Sequence, residues 1–183
     1  MSLYDKPEGG DFLPYAKYNA KAGRWYVKKD GEEQEVVNPS FVADFKNVKK
    51  VWAHFLEGQA PDIIEFSSFD EKLPRPTEHH KQGIKLQIFS SSNFGGVVEF
   101  CSTASNACGP ISKLYEAYLA HPNKDELPVV VVSGAKPISG KYGTNYEPVM
   151  VIEKFISRPV EFDQPANDAP IEEAKPAQSA SEF

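Results

Sequence analysis

Between Lys81 and Gly134 the spacing of apolar positions changes character several times. Lys85-Leu86-Gln87-Ile88-Phe89 mixes apolar and polar residues in a short β-like run. Gly95-Gly96 is a turn signal, and Val97-Val98-Glu99-Phe100 resumes the β pattern. Ile111, Leu114, Tyr115, Tyr118 and Leu119 then fall at the three-and-four spacing of one helix face. Val129-Val130-Val131-Val132, behind Pro128, is a β-branched run too short for a typical helix, and it reads as a buried strand. A helix set into a run of strands fits a small barrel with one inserted helix better than a doubly wound sheet.

The flanking sequence extends the sheet. Tyr15-Ala16-Lys17-Tyr18 begins it, after an irregular arm over residues 1–14 that holds Pro7, Gly9-Gly10 and Pro14. Arg24-Trp25-Tyr26-Val27-Lys28-Lys29 is a strand, Asp30-Gly31 a hairpin turn, and Glu35-Val36-Val37 the returning partner, ended by Asn38-Pro39. Phe41 to Leu56 is ambiguous. Val48, Val51, Trp52 and Phe55 fit a helix face, whereas Phe41, Ala43, Phe45 and then Val51, Ala53, Phe55 fit alternating strands. The β neighbours and the closing Gly58 and Pro61 favour strand, with Asp44 and Asn47 weakening its continuity. Asp62-Ile63-Ile64-Glu65-Phe66 precedes a polar loop to Lys81, Lys136 to Gly143 reads as another loop, and Pro148 to Phe155 as a closing strand. From residue 160 Pro, Ala, Ser and acids dominate, with too little apolar surface to offset the entropy of ordering. The expected organisation is an arm at 1–14, a mainly β domain at 15–159 and a disordered acidic tail at 160–183.

Charge sharpens that division. The net charge of −6 is concentrated at one end: residues 160–183 carry six acids and one base, so residues 1–159, with 20 acids and 19 bases, are near neutral. No apolar run approaches a membrane span, and the first residues lack a basic-then-apolar signal pattern. A cytoplasmic protein without membrane partners is expected, and Cys101 and Cys108 are then expected as free thiols. Four scattered histidines add no metal-ligand spacing, since adjacent His79-His80 on a strand would point to opposite faces. There is no phosphate-binding glycine loop, no G-x-G-x-x-G and no G-x-S-x-G. Ser133-Gly134 has no His or acid tied to it by spacing, and Asp62, Glu65, Asp70 and Glu71 read as solvated loop charge. The expectation is a non-enzyme with no cofactor and no metal.

Aromatics interleaved with bases are the positive signal. Single-stranded nucleic acid asks for this mixture, because bases stack on rings while Lys and Arg follow the phosphates. The residues that carry it are Arg24, Trp25, Tyr26 and Lys28, then Lys49 and Trp52, Lys85 and Phe89, and Lys141 with Tyr142. The plainer reading of Trp25, Trp52, Phe89 and Phe100 is that each belongs to the core. The tail is the second signal. Glu172, Glu173 and Glu182 lead to Phe183, an aromatic that can enter a partner's apolar pocket while acids and carboxylate meet basic groups. The same acids can lie over the protein's own basic groove and compete with phosphate.

Strands closed by a helix before the penultimate strand resemble an OB-fold, a five-stranded barrel with its helix between strands three and four. Val97–Phe100, the helix near Ala107–Ala120, Pro128–Ser133 and Pro148–Phe155 would supply strand three, helix, strand four and strand five. With the acidic tail ending in Phe183, the chain resembles the phage-type single-stranded DNA-binding proteins. The resemblance implies a barrel cleft that binds single-stranded DNA in phage replication or recombination, in the host cytoplasm. It implies a tail that contacts polymerase and helicase–primase, and it implies dimers, since many members dimerise. The alternative is a structural or scaffolding virion-associated β-rich protein indifferent to nucleic acid.

Overall fold

The computed structural model describes residues 14–56 and 59–164. Most of the arm at 1–14 and the tail acids Glu172, Glu173 and Glu182 with Phe183 lie outside the described residues. Among the described residues ten strands and one α-helix follow in chain order: β1 (Tyr15–Asn19), β2 (Arg24–Lys29), β3 (Glu32–Val36), β4 (Ser40–Ala43), β5 (Lys49–His54), β6 (Asp62–Glu65), β7 (Lys81–Ser90), β8 (Gly96–Ser102), α1 (Ser105–Ala120), β9 (Glu126–Gly140) and β10 (Gly143–Ser157). The protein is mainly β. Among the described residues no helix is long and apolar enough to cross a membrane.

Local chemistry explains the turns. Asp30 and Gly31 both have positive φ, 51° and 82°, the pair that a two-residue hairpin needs between right-twisted strands. Ala107, Ile111, Leu114 and Tyr118 are buried at helical spacing on α1. Tyr115 packs partly against the core, while Leu119, expected on the same face, is exposed. The ambiguous stretch is a strand broken in the middle. β4 and β5 both pair antiparallel with β7, Val42 opposite Phe89 and Lys49 opposite Lys85, and only Phe45–Asn47 between them turns helically.

The sheet path runs β10-β9-β4-β7-β8-β1-β2-β3, with β6 on the outer side of β5. The closed barrel expected from the sequence is corrected here, because the path is open. The edge of β8 is taken in parallel by β1, which brings the β1–β3 meander between β8 and β10. β1 and β10 touch where Tyr146 N–H donates to the Ala20 carbonyl at 2.7 Å and the Tyr18 hydroxyl donates to the Tyr146 carbonyl at 2.8 Å. The core lies inside this curl. The Trp25 ring packs at 5.1–5.8 Å from those of Tyr18, Phe41 and Phe100.

Two further expectations are corrected. The segment Lys136 to Gly143 is not a loop but the outer arm of a long hairpin, with Pro137 opposite Tyr146 and Gly143 opposite Gly140. Proline is tolerated there because β4 pairs with β9 only at Val129–Val131, so no further strand needs the Pro137 nitrogen. Residues 160–163, expected within the tail, are instead part of the described fold. A helical turn over Val160–Asp163 returns to the sheet, and its Phe162 ring meets Phe89 edge-on at 6.2 Å. Arg158 fastens this turn, donating to Asp163 at 3.1 Å and to the buried Asp44 at 2.6 Å. The hydrogen bond from Arg158 holds the Asp163 carboxyl below its ordinary value of 3.8. A lowered pKa in the folded state contributes stability that is present above 3.8 and fades as pH falls through the lowered value. Asp163→Asn should therefore lower stability at neutral pH, converge with the wild-type protein in acid, and flatten that stretch of an acid-unfolding curve.

Candidate nucleic-acid interface

Alternation along the strands decides which side chains leave the core. On β2, Trp25 and Val27 are buried, so Arg24, Tyr26 and Lys28 share the opposite face. On β1, Ala16 and Tyr18 are buried, so Tyr15, Lys17 and Asn19 share that same outer face. Register then aligns them: Tyr15 with Lys28, Lys17 with Tyr26, Asn19 with Arg24. β8 and β7 continue the rows, Glu99 beside Tyr15 and opposite Gln87, Cys101 opposite Lys85, and Lys85 opposite Lys49. The result is one exposed sheet face on which rings and cations neighbour each other. The Lys17 ammonium lies 5.8 Å from the centre of the Tyr26 ring.

Acids are threaded through it. Glu33 pairs with Lys17 at 2.7 Å and Glu35 with Arg24 at 3.5 Å. Lys85 sits between Glu65 at 2.6 Å and Glu99 at 3.5 Å. Burial alone would lower the Lys85 pKa, but the two carboxylates outweigh it and raise it. Lys28 and Lys49 have no ion-pair partner among the described residues. The Lys17–Glu33 and Arg24–Glu35 pairs are exposed and worth little to stability, so there a phosphate can replace the carboxylate at small cost.

Five of the ten expected site residues, Arg24, Tyr26, Lys28, Lys49 and Lys85, are therefore gathered on one face. Three are not free there. Trp25 is 4% exposed and Phe89 3% exposed. Trp25 belongs to the inward set of β2, and its indole N–H has no acceptor among the described residues. Phe89 lies on the outer set of β7, but Phe162 covers it. Trp52 is on the face opposite Lys49 along β5, where its indole N–H donates to the Leu73 carbonyl at 2.8 Å and Arg75 stands 5.5 Å from its ring. Its work is to hold the loop after β6.

Lys141 and Tyr142 occupy the tip of the β9–β10 hairpin, Tyr142 at 86% exposure with the Lys141 ammonium 5.6 Å from its ring. The hairpin is braced at the Arg24 end of the face. Gly23, at φ +69°, lies against Tyr146, where a Cβ would meet the Tyr146 Cβ and Cγ at 3.0 Å. Tyr15, Lys17, Gln87 and Arg158 were missing from the expected set. The alternation of Tyr15 and Lys17 with buried Ala16 and Tyr18 is a signal that finds the first two. Gln87 follows the same alternation two residues from Lys85, between buried Leu86 and Ile88, whereas Arg158 acquires its place only through contacts distant in sequence.

Other chemistry is quiet. Cys101 and Cys108 are free thiols; burial pushes the Cys101 thiol up to about 12 and raises that of Cys108, which keeps both protonated. His80 is buried, with its Nε2 on Asp62 at 3.0 Å and its Nδ1 on the Thr77 hydroxyl at 2.7 Å, which fixes the base of the loop. Among the described residues no group of three His, Cys, Asp or Glu side chains is arranged to hold a metal ion. No family model, no curated protein and no solved structure matches this chain.

Proposed function

We propose that the protein binds single-stranded DNA with little sequence preference, in phage replication or recombination, and is not an enzyme. The observation that carries the reading is the outer face of β1 and β2, where Tyr15, Lys28, Lys17, Tyr26 and Arg24 alternate rings with cations in register. Such a face offers stacking surfaces and phosphate partners at once. The fold we propose behind it is an OB-fold opened by an added meander. The broken strand Ser40–His54 is strand one, β7 and β8 are two and three, and β9 and β10 are four and five, with α1 between three and four. The path β10-β9-β4-β7-β8 supports this order. OB-folds bind nucleic acid on strands two and three and on the loop between four and five, which here means Lys85, Gln87 and the Lys141–Tyr142 tip. In this proposal the acidic residues toward Phe183 recruit polymerase or helicase–primase.

The test is an anisotropy titration with labelled oligo-dT at rising salt. Affinity should fall steeply, by about 0.7 in log–log slope for each phosphate neutralised. No binding at low salt would end the reading. A form ending at Gln164 should bind more tightly; the cut belongs there because Phe162 is part of the body. Tyr142→Ala should weaken binding by about 1–3 kcal/mol if one base stacks on that ring. An exposed position should leave stability within about 0.5 kcal/mol, so thermal melting serves as the control.

A scaffolding role has one observation in its favour: β10 ends the sheet path, and it exposes Val149 and Val151. Light scattering with and without oligonucleotide separates a self-associating β protein from a DNA-binding one.

A further inference from the structure

Where the outer face reaches β7 it deepens into a groove of about 330 Å³, within the range of small-ligand pockets. Lys49, Glu65, Lys85, Gln87, Glu99 and Arg158 line it, with Asp44, Phe162 and Asp163 on the side of the returning turn. Its charges nearly cancel. Arg158 is engaged by Asp44 and Asp163, and Lys85 by Glu65 and Glu99. Three cations face four acids, so the groove disfavours a phosphate. It favours a neutral ligand that donates hydrogen bonds to carboxylates. The Gln87 side-chain amide, between Lys85 and Glu99 in the register of β7 and β8, has no hydrogen-bond partner among the described residues. Phe162 and the Arg158 guanidinium, 5.2 Å apart, add a flat wall.

We infer that this groove takes one nucleobase of the bound strand and prefers a base with an exocyclic amine, cytosine or adenine, over thymine. The inference rests on the single-stranded DNA reading above. Carboxylates accept from the cytosine amine, and a glutamine amide pairs with an adenine edge. Thymine has no amine and turns two carbonyl oxygens toward the acids. Lys49, at the rim and without an ion-pair partner among the described residues, is placed for the adjoining phosphate.

The test compares oligo-dT with the same oligo-dT carrying one central cytosine or adenine, by competition titration with the full chain. The single replacement should tighten binding about five-fold or more, the lower end of what one good base pairing gives. In Gln87→Leu the ratio of the two affinities should fall toward one, and Glu99→Ala should do the same by an independent change. The ratio is the readout, so a general weakening does not obscure it. Equal affinity of the wild-type protein for both oligonucleotides overturns the inference and leaves the binding reading standing. So does a gain that survives both substitutions. Failure of every oligonucleotide to bind overturns both.

Discussion

Arg158→Ala should cost about 3–5 kcal/mol of stability, the usual result of removing one partner from a buried ion pair. The reason is Asp44, which is 1% exposed. Its carboxylate accepts from Arg158 at 2.6 Å and from the Asn47 amide at 3.1 Å. Without the guanidinium, one neutral donor is left to hold a buried anion. The same substitution releases Asp163, and with it the turn whose Phe162 covers Phe89. Urea unfolding monitored by circular dichroism measures the effect as a lower midpoint. Replacing both partners, Arg158→Leu with Asp44→Leu, should cost less than Arg158→Ala alone, because no charge is then stranded. A loss below about 1 kcal/mol for the single change would mean that water already reaches Asp44.

Removing Lys17, Arg24 and Lys28 together, each to alanine, should weaken oligo-dT binding about a hundred-fold at about 0.1 M salt, if each neutralises one phosphate. Counterion release contributes about 0.7 of a decade per contact under those conditions, and three contacts give about two decades. The slope of affinity against salt should flatten by about 2 as well. Two of these cations are paired with Glu33 and Glu35, which predicts an opposite result for the acids. Glu33→Gln with Glu35→Gln should tighten binding, since the cations no longer exchange one anion for another. Anisotropy at several salt concentrations reads both effects. An unchanged slope in the triple variant would place the DNA elsewhere.

Local signals carried much of the fold. Asp30-Gly31 and Gly95-Gly96 mark real turns, both between antiparallel strands. The helix spacing and the valine run fall on α1 and β9. What escaped depends on partners distant in sequence. Pro137, Gly140 and Gly143 look like a loop until the hairpin is seen to run beyond its neighbour β4, where no further ladder bonds are needed. The barrel failed to close in the expected way because residues 15–36 claim the edge of β8, a pairing set by contacts some eighty residues apart. Phe162, placed beyond the domain by its acidic neighbours, is anchored by Arg158 and by a ring on β7.

The candidate interface was half legible for a similar reason. Arg24, Tyr26 and Lys28 alternate with Trp25 and Val27, so the strand itself separates an outward polar set from an inward apolar one. Arg24, Trp25, Tyr26 and Lys28 therefore do not form one patch, because Trp25 turns inward. Phe89 obeys the period and still fails as an open stacking surface, because Phe162 packs over it. Trp52 is spent on the loop that it anchors through Leu73 and Arg75.

Lysine footprinting tests the placement of the interface most directly. The full chain is acetylated with and without saturating oligo-dT, and each lysine is read by mass spectrometry. Lys17, Lys28, Lys49 and Lys141 should lose reactivity with the oligonucleotide, while Lys113 on the exposed side of α1 keeps it. Protection of Lys113 with Lys17, Lys28 and Lys141 unchanged would contradict the account.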